Sequence, residues 1–195
     1  MLDKLEIQPK LGNELFHSHG QGLEFNLLSF WQWVDSDLVN NSCRGKLAEY
    51  LVAQALGIDT NVIRSEWTSF DLQLPSGKNI EVKSAAYIQS WGQNKLSSIS
   101  FKISKTLAWD PATNQYSKDF MWQADIYIFA LLSHEDKISI DPLDVSQWKF
   151  YVLPPSVINT SKQSKLSFTL TSLEKLCQAC TYFELAKIVG EVSDV

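Results

Sequence analysis

The sequence predicts an α/β fold, a mixed central β-sheet flanked by helices, on three observations. A strongly patterned helical run occupies residues 41–57, six short extended runs follow between residues 61 and 153, and amphipathic stretches close the chain after Pro154-Pro155. With 195 residues the chain has the length of one domain with a single sizeable core, so residues 1–195 read as one unit. No internal repeat, low-complexity segment or linker divides it.

Residues 1–21 carry Gly12 and Gly20 without a sustained period and read as an irregular N-terminal arm. From Leu23 to Val34, the residues Leu27, Leu28, Phe30, Trp31 and Val34 recur at helical spacing, which predicts a first helix. "NNSCRGKLAEYLVAQALG" predicts the second. It offers Asn41 or Ser42 as N-cap, an apolar stripe of Leu47, Ala48, Leu51, Val52 and Ala55, and Gly57 at the C-terminal end.

The extended runs are Asn61–Trp67, Phe70–Leu74, Asn79–Ser84, Ser98–Ile103, Ala124–Leu132 and Trp148–Leu153, with Pro75-Ser76-Gly77-Lys78 as a turn between the second and third. Thr171-x-x-Glu174 and Thr181-x-x-Glu184 have the form of capping boxes, so residues 156–195 are expected to form a C-terminal helical element.

Composition narrows the classes. At 45% hydrophobic and 20% charged, with seven Trp and ten Phe, the chain has the material for a packed core and is not a disordered tail. The longest apolar run, Ile126 to Leu132, is too short to cross a bilayer, and no secretory pattern precedes it, so a cytoplasmic protein with no membrane partner is expected. Cys43, Cys177 and Cys180 form no disulfide framework, and a single C-x-x-C lacks the second ligand pair of a structural zinc site. A net charge of −5 argues against a protein that coats DNA through a global basic field. It does not argue against an enzyme whose carboxylates hold divalent cations, because the metal reverses the local field.

The stretch "FDLQLPSGKNIEVKSAAY" joins two strands of alternating character. Phe70, Leu72 and Leu74 share one face while Asp71 takes the other, and in the next run Ile80 and Val82 oppose Glu81 and Lys83. Pairing through the turn brings Asp71 near Glu81 and Lys83. A solvated hairpin face, common among half-wet antiparallel strands, is the plainer account of this pattern taken alone. Upstream, however, Glu49 sits among the apolar residues of the second helix, where an inward carboxylate needs a partner.

Glu49, Asp71 and the Glu81-Val82-Lys83 tripeptide, in the order helix, strand, strand, resemble the PD-(D/E)XK nuclease superfamily, whose fold is called restriction-endonuclease-like. The similarity spans residues 42–101, with Phe70 where the motif carries proline. It implies a DNA endonuclease, a phosphodiester hydrolase dependent on Mg²⁺ with Mn²⁺ as a substitute. Glu49, Asp71, Glu81 and Lys83 would be its catalytic residues. Asp71, Glu81, the Val82 carbonyl and Glu49 would be the metal ligands, oxygen donors of the kind hard cations take. Lys83 would orient water or stabilise charge on the phosphate. A binding or protein-interaction module with a retired site is the alternative function.

Tyr87 and Gln89, just beyond the lysine, are candidate substrate contacts. So are Lys102 and Lys105, which interleave with Trp91, Trp109, Tyr116 and Trp122 in the manner of surfaces that stack bases and neutralise phosphates. Cutting two strands calls for two sites, hence a homodimer is expected. His17, His19 and Glu24 have zinc-ligand side chains but no third ligand at a metal-binding spacing, and His134 reads as a loop histidine.

Overall fold

The structure is a computed structural model and describes residues 5–64, 68–110, 115–160 and 167–193. The chain begins with a hairpin, β1 (Leu15–Ser18) and β2 (Gln21–Asn26), which runs into α1 (Leu27–Asp35) and α2 (Asn41–Ala55). Then come β3 (Leu72–Gln73), β4 (Asn79–Ala86), β5 (Ser100–Lys102), β6 (Trp109–Asp110), β7 (Gln115–Tyr116), β8 (Ile126–Leu132) and β9 (Trp148–Leu153). The chain continues through α3 (Pro155–Thr160), β10 (Ser167–Thr169), α4 (Leu170–Leu173) and α5 (Leu185–Ser193).

The central sheet has the order β3-β4-β8-β9 and is mixed, since β4 and β8 run parallel while the outer pairs are antiparallel. All seven residues of β8 are buried, which a parallel-paired central strand covered on both faces requires. Ile126, Ile128, Ala130 and Leu132 pack on the side of α2 and α5, with Ala48, Leu51, Val52, Leu185 and Val189. Tyr127, Phe129 and Leu131 pack on the other, against Phe101 of β5 and Phe168 of β10. The predicted α/β architecture is the one observed.

Helix α2 forms where the pattern places it. Its N-cap is Asn40, whose side chain accepts from the Ser42 amide at 2.9 Å, one residue earlier than the expected Asn41 or Ser42. At the other end Gly57 has φ +65°, its N–H meets the Gln54 carbonyl, and the Ile58 N–H meets that of Ala53. This is a Schellman close that only a left-handed residue permits. A close of this kind fixes the exit direction of the chain toward the site.

Several expectations are corrected. The arm of residues 1–21 is not irregular throughout: β1 and β2 pair across a turn in which His19 and Gly20 both take positive φ. As a result the first helix begins at Leu27, not Leu23, because Leu23 to Asn26 belong to β2. Residues 61–64 form no strand, and the rest of the expected run, residues 65–67, lies outside the described residues. The cap of α4 is Thr169, whose hydroxyl oxygen accepts from the Ser172 amide, in place of Thr171. Within 156–193 the chain also contributes β10, which pairs with β5, so that the C-terminal element is not helical throughout. Ahead of α5 the Thr181 amide and hydroxyl both donate to the Glu184 carboxylate, at 2.9 and 2.8 Å, while the Glu184 amide donates to the Thr181 carbonyl at 3.2 Å, so one half of the expected capping box forms.

Candidate active site

The site lies at the β4 edge of the sheet. Strand β3 pairs with β4 in the register Leu72 to Ile80, and the chain stays alongside for one step more, the Asp71 N–H donating to the Ile80 carbonyl at 3.0 Å. Beyond that step the backbone leaves and the side chain takes over: Asp71 Oδ2 accepts the Val82 N–H at 2.8 Å. Asp71 therefore sits beside Glu81 because the hairpin register places it there.

Glu81 and Lys83 take the face of β4 opposite Ile80, Val82 and Ala86, as alternation requires. The Lys83 ammonium donates to Glu81 Oε1. Tyr127 is Glu81's register partner on β8. Both line a recess of about 190 Å³ with Lys83, Lys102, Ser104 and Gln123. Burial, then the nearby Glu81 carboxylate, pushes the Tyr127 hydroxyl up to about 12.

Glu49 arrives from the other face. It follows Ala48 on α2, the helix that covers Ile80 and Val82, and only 8% of it is exposed. Arg64 pairs with it, Nε donating to Oε2 and Nη2 to Oε1 at 3.1 Å. The same Nη2 stands 3.9 Å from Asp71 Oδ1. The guanidinium thus spans two acids, one from the helix and one from the hairpin.

The electrostatics join the acids into one unit. Burial raises the Glu81 carboxyl, the charge of Asp71 raises it further, and Lys83 only partly opposes them. Glu49 is raised by burial and by Asp71, against the hydrogen bond from Arg64. Three carboxylates that repel one another at a sheet edge form a place where added positive charge is favoured. The donor set, all hard oxygen, fits Mg²⁺ or Mn²⁺ in chemical type. As placed, Glu49 turns to Arg64 and Glu81 to Lys83, and among the described residues no three His, Cys, Asp or Glu side chains meet at one point.

The four residues singled out from the sequence, Glu49, Asp71, Glu81 and Lys83, are therefore coupled in charge, with Arg64 linking Glu49 to Asp71 and Lys83 paired to Glu81. Of the substrate candidates, Lys102 lines the recess of Glu81. Gln89 is buried and lines an adjoining recess, to which Lys83 also contributes. Tyr87 packs against the second core, near Glu135 and Glu174, and lines neither recess. Lys105 holds its ammonium 5.9 Å from the Trp122 ring centre. Trp109 and Tyr116 pair with each other across β6 and β7, their ring centres 4.8 Å apart.

His17, His19 and Glu24 are exposed on the hairpin and join no metal cluster among the described residues. All three cysteines are free thiols. Sequence reasoning missed Arg64 and Tyr127. Arg64 stood in a run taken for a strand, and Tyr127 among apolar neighbours, so that neither carried a local signal.

Comparison with known families supplies the class. The family model that matches residues 26–171 is one of endonucleases, so the chain is a nuclease and its substrate is nucleic acid. The particular family is bacteriophage T4 endonuclease IV, and with well over half of the 195 residues matched the chain belongs to it. No curated protein matches the chain. Among the described residues no helix is long and apolar enough to cross a membrane.

Proposed function

We propose that the chain is a Mg²⁺-dependent DNA endonuclease of PD-(D/E)XK type, with Glu49, Asp71, Glu81 and Lys83 as its catalytic residues. The observation that carries the reading is the hydrogen bond from the Val82 amide to Asp71, which seats one acid of the paired strands beside the Glu81-Val82-Lys83 tripeptide. Hydrolysis forms a bond from phosphorus to a water oxygen and breaks one to a sugar oxygen, which leaves with a proton.

A divalent cation held by Asp71, Glu81, the Val82 carbonyl and Glu49 would supply Lewis-acid chemistry, neutralising phosphate charge and activating water. Asp71 is pre-oriented by a backbone amide. Lys83, two residues from Glu81 on the same strand, places an ammonium where charge builds on the phosphate or where water must be oriented. Tyr127 stays protonated throughout the neutral range and is fit to donate a hydrogen bond in the recess.

Incubation of wild type with supercoiled and linear DNA in Mg²⁺ or Mn²⁺, beside Asp71→Asn and Lys83→Ala, tests the reading. Cleavage by wild type and its loss in both variants is expected. Binding of DNA with no cleavage under any of these conditions would transfer the chain to the binding-module alternative.

A homodimer belongs to the same reading. Helix α1 buries none of its residues, and Phe25, Leu28, Phe30 and Trp33 are exposed on it and on β2. A second copy related by a two-fold axis would cover this apolar face and set two sites on the two strands of a duplex. Sedimentation of wild type as a dimer and of Trp33→Glu as a monomer is expected. A monomeric wild type at micromolar concentration removes the proposal.

A further inference from the structure

Beside the acids lies a second recess of different chemistry, with a volume of about 360 Å³. It shares Lys83 and Lys102 with the recess of Glu81, so the two adjoin along these lysines. Its lining holds Arg44, Lys83 and Lys102 and not one carboxylate, on a chain whose net charge is −5. The Lys83 ammonium is turned to Glu81, so Arg44 and Lys102 are the two cations of this space with no acid beside them among the described residues, and such a pair selects for an anion.

Arg44 is the unusual member. It is only 3% exposed, and burial lowers the pKa of its guanidinium, yet its hydrogen-bond partners are all neutral. Nη1 donates to the Val39 carbonyl at 2.8 Å, Nη2 to Asn41 Oδ1 at 2.7 Å and Nε to Ser84 Oγ at 3.4 Å. Among the described residues no carboxylate lies within ion-pair distance of it. A guanidinium has five N–H donors, so these three bonds fix its orientation and leave donors over. A buried charge satisfied only by neutral groups is one for which a counter-ion is favoured.

Gln89 lines the same recess. It is 6% exposed, and its Nε2 donates to the Ala86 carbonyl at 3.0 Å, which settles which end of the amide is which. Its Oε1 is buried with no hydrogen-bond partner. Native side chains rarely leave such an acceptor unmet. A nucleotide brings what these cations call for, a phosphate.

We propose that the recess lined by Arg44, Lys83, Ser84, Gln89, Ser98 and Lys102 binds the nucleotide next to the scissile phosphate, with Arg44 and Lys102 gripping its phosphate. The proposal rests on the assignment of Glu49, Asp71, Glu81 and Lys83 as the hydrolytic site. Arg44 and Lys102 are then positioning residues, which hold the strand so that the neighbouring phosphate falls beside Glu81 and Lys83.

The test reads binding without turnover: the affinity of the full chain for a duplex DNA, in EDTA, over a range of salt concentrations. Each phosphate contact adds about 0.9 to the slope of log affinity against log salt. Arg44→Gln and Lys102→Gln should each lower the slope magnitude by about 1. Lys187→Gln, on the outer face of α5, should leave it unchanged. A methylphosphonate beside the cut position should weaken wild type, and weaken Lys102→Gln by less.

Wild-type slopes in both variants would overturn the subsite. Lys102 is exposed on β5, so its variant decides the matter if Arg44→Gln fails to fold. Asp71→Asn keeps the slope in EDTA and, in a separate incubation with Mg²⁺, loses the cleavage that wild type shows. Persistent cleavage by that variant would sink the hydrolytic assignment while the slopes still judge the recess.

Discussion

Asp71 accepts the Val82 amide through Oδ2 at 2.8 Å, so that a carboxylate occupies the ladder position a strand carbonyl would take at the edge of β4. An asparagine carbonyl can accept the same bond, but it carries no charge. Asp71→Asn is therefore expected to keep the fold, melting within a few degrees of wild type, and to lose about a thousandfold in cleavage rate. Thermal unfolding and a cleavage time course on one preparation check both halves.

Arg64 occupies the gap between Glu49 and Asp71, its Nη2 lying 3.1 Å from one carboxylate and 3.9 Å from the other. A cation entering the site competes with it for both acids. Arg64→Ala is expected to bind Mn²⁺ several-fold more tightly than wild type by isothermal titration. Weaker binding would mean that Arg64 builds the site instead of guarding it.

Glu81 has its carboxyl raised by burial and by Asp71, and Glu49 is raised in the same way. A carboxyl raised on folding contributes stability that is fully present below its unfolded value and is lost as pH climbs through the higher folded one. Ionised Glu81 therefore weakens the metal-free fold at pH 7. Glu81→Gln in EDTA is expected to melt a few degrees above wild type at about pH 7, with the gap closing toward about pH 4. A gap that does not change with pH contradicts the charge origin of the effect.

Ile128 sits fully buried at the centre of β8, between β4 and β9. Ile128→Ala leaves a cavity beneath the strand that carries Glu81 and is expected to cost about 2–5 kcal/mol in urea unfolding. Activity per folded molecule should fall less than in Asp71→Asn, because no charged group is touched.

The central part of the fold and the candidate site were legible in the sequence because alternation and helical period both report burial. Asp71, Glu81 and Lys83 could be aligned since two strands joined by a turn with Gly77 at φ +87° have few registers open to them. The N-terminal hairpin was less legible: Leu23-Glu24-Phe25 alternates over too few residues to compete with the helical period that follows. Its turn at His19-Gly20 lacks the Asn-Gly or Asp-Gly pair that usually marks one.

Arg44 and Arg64 escaped for another reason. A basic residue on a helix or in a loop is normally solvated. What makes Arg44 matter is burial by β4 and by the loop ahead of α2, a tertiary property that no local pattern carries.

The most direct test of the central claim is the anomalous scattering of Mn²⁺ soaked into crystals of the chain. A peak bonded to the carboxylates of Asp71 and Glu81, absent from Asp71→Asn crystals, is the expected result. A nuclease-active protein whose Mn²⁺ lies away from both residues would contradict it.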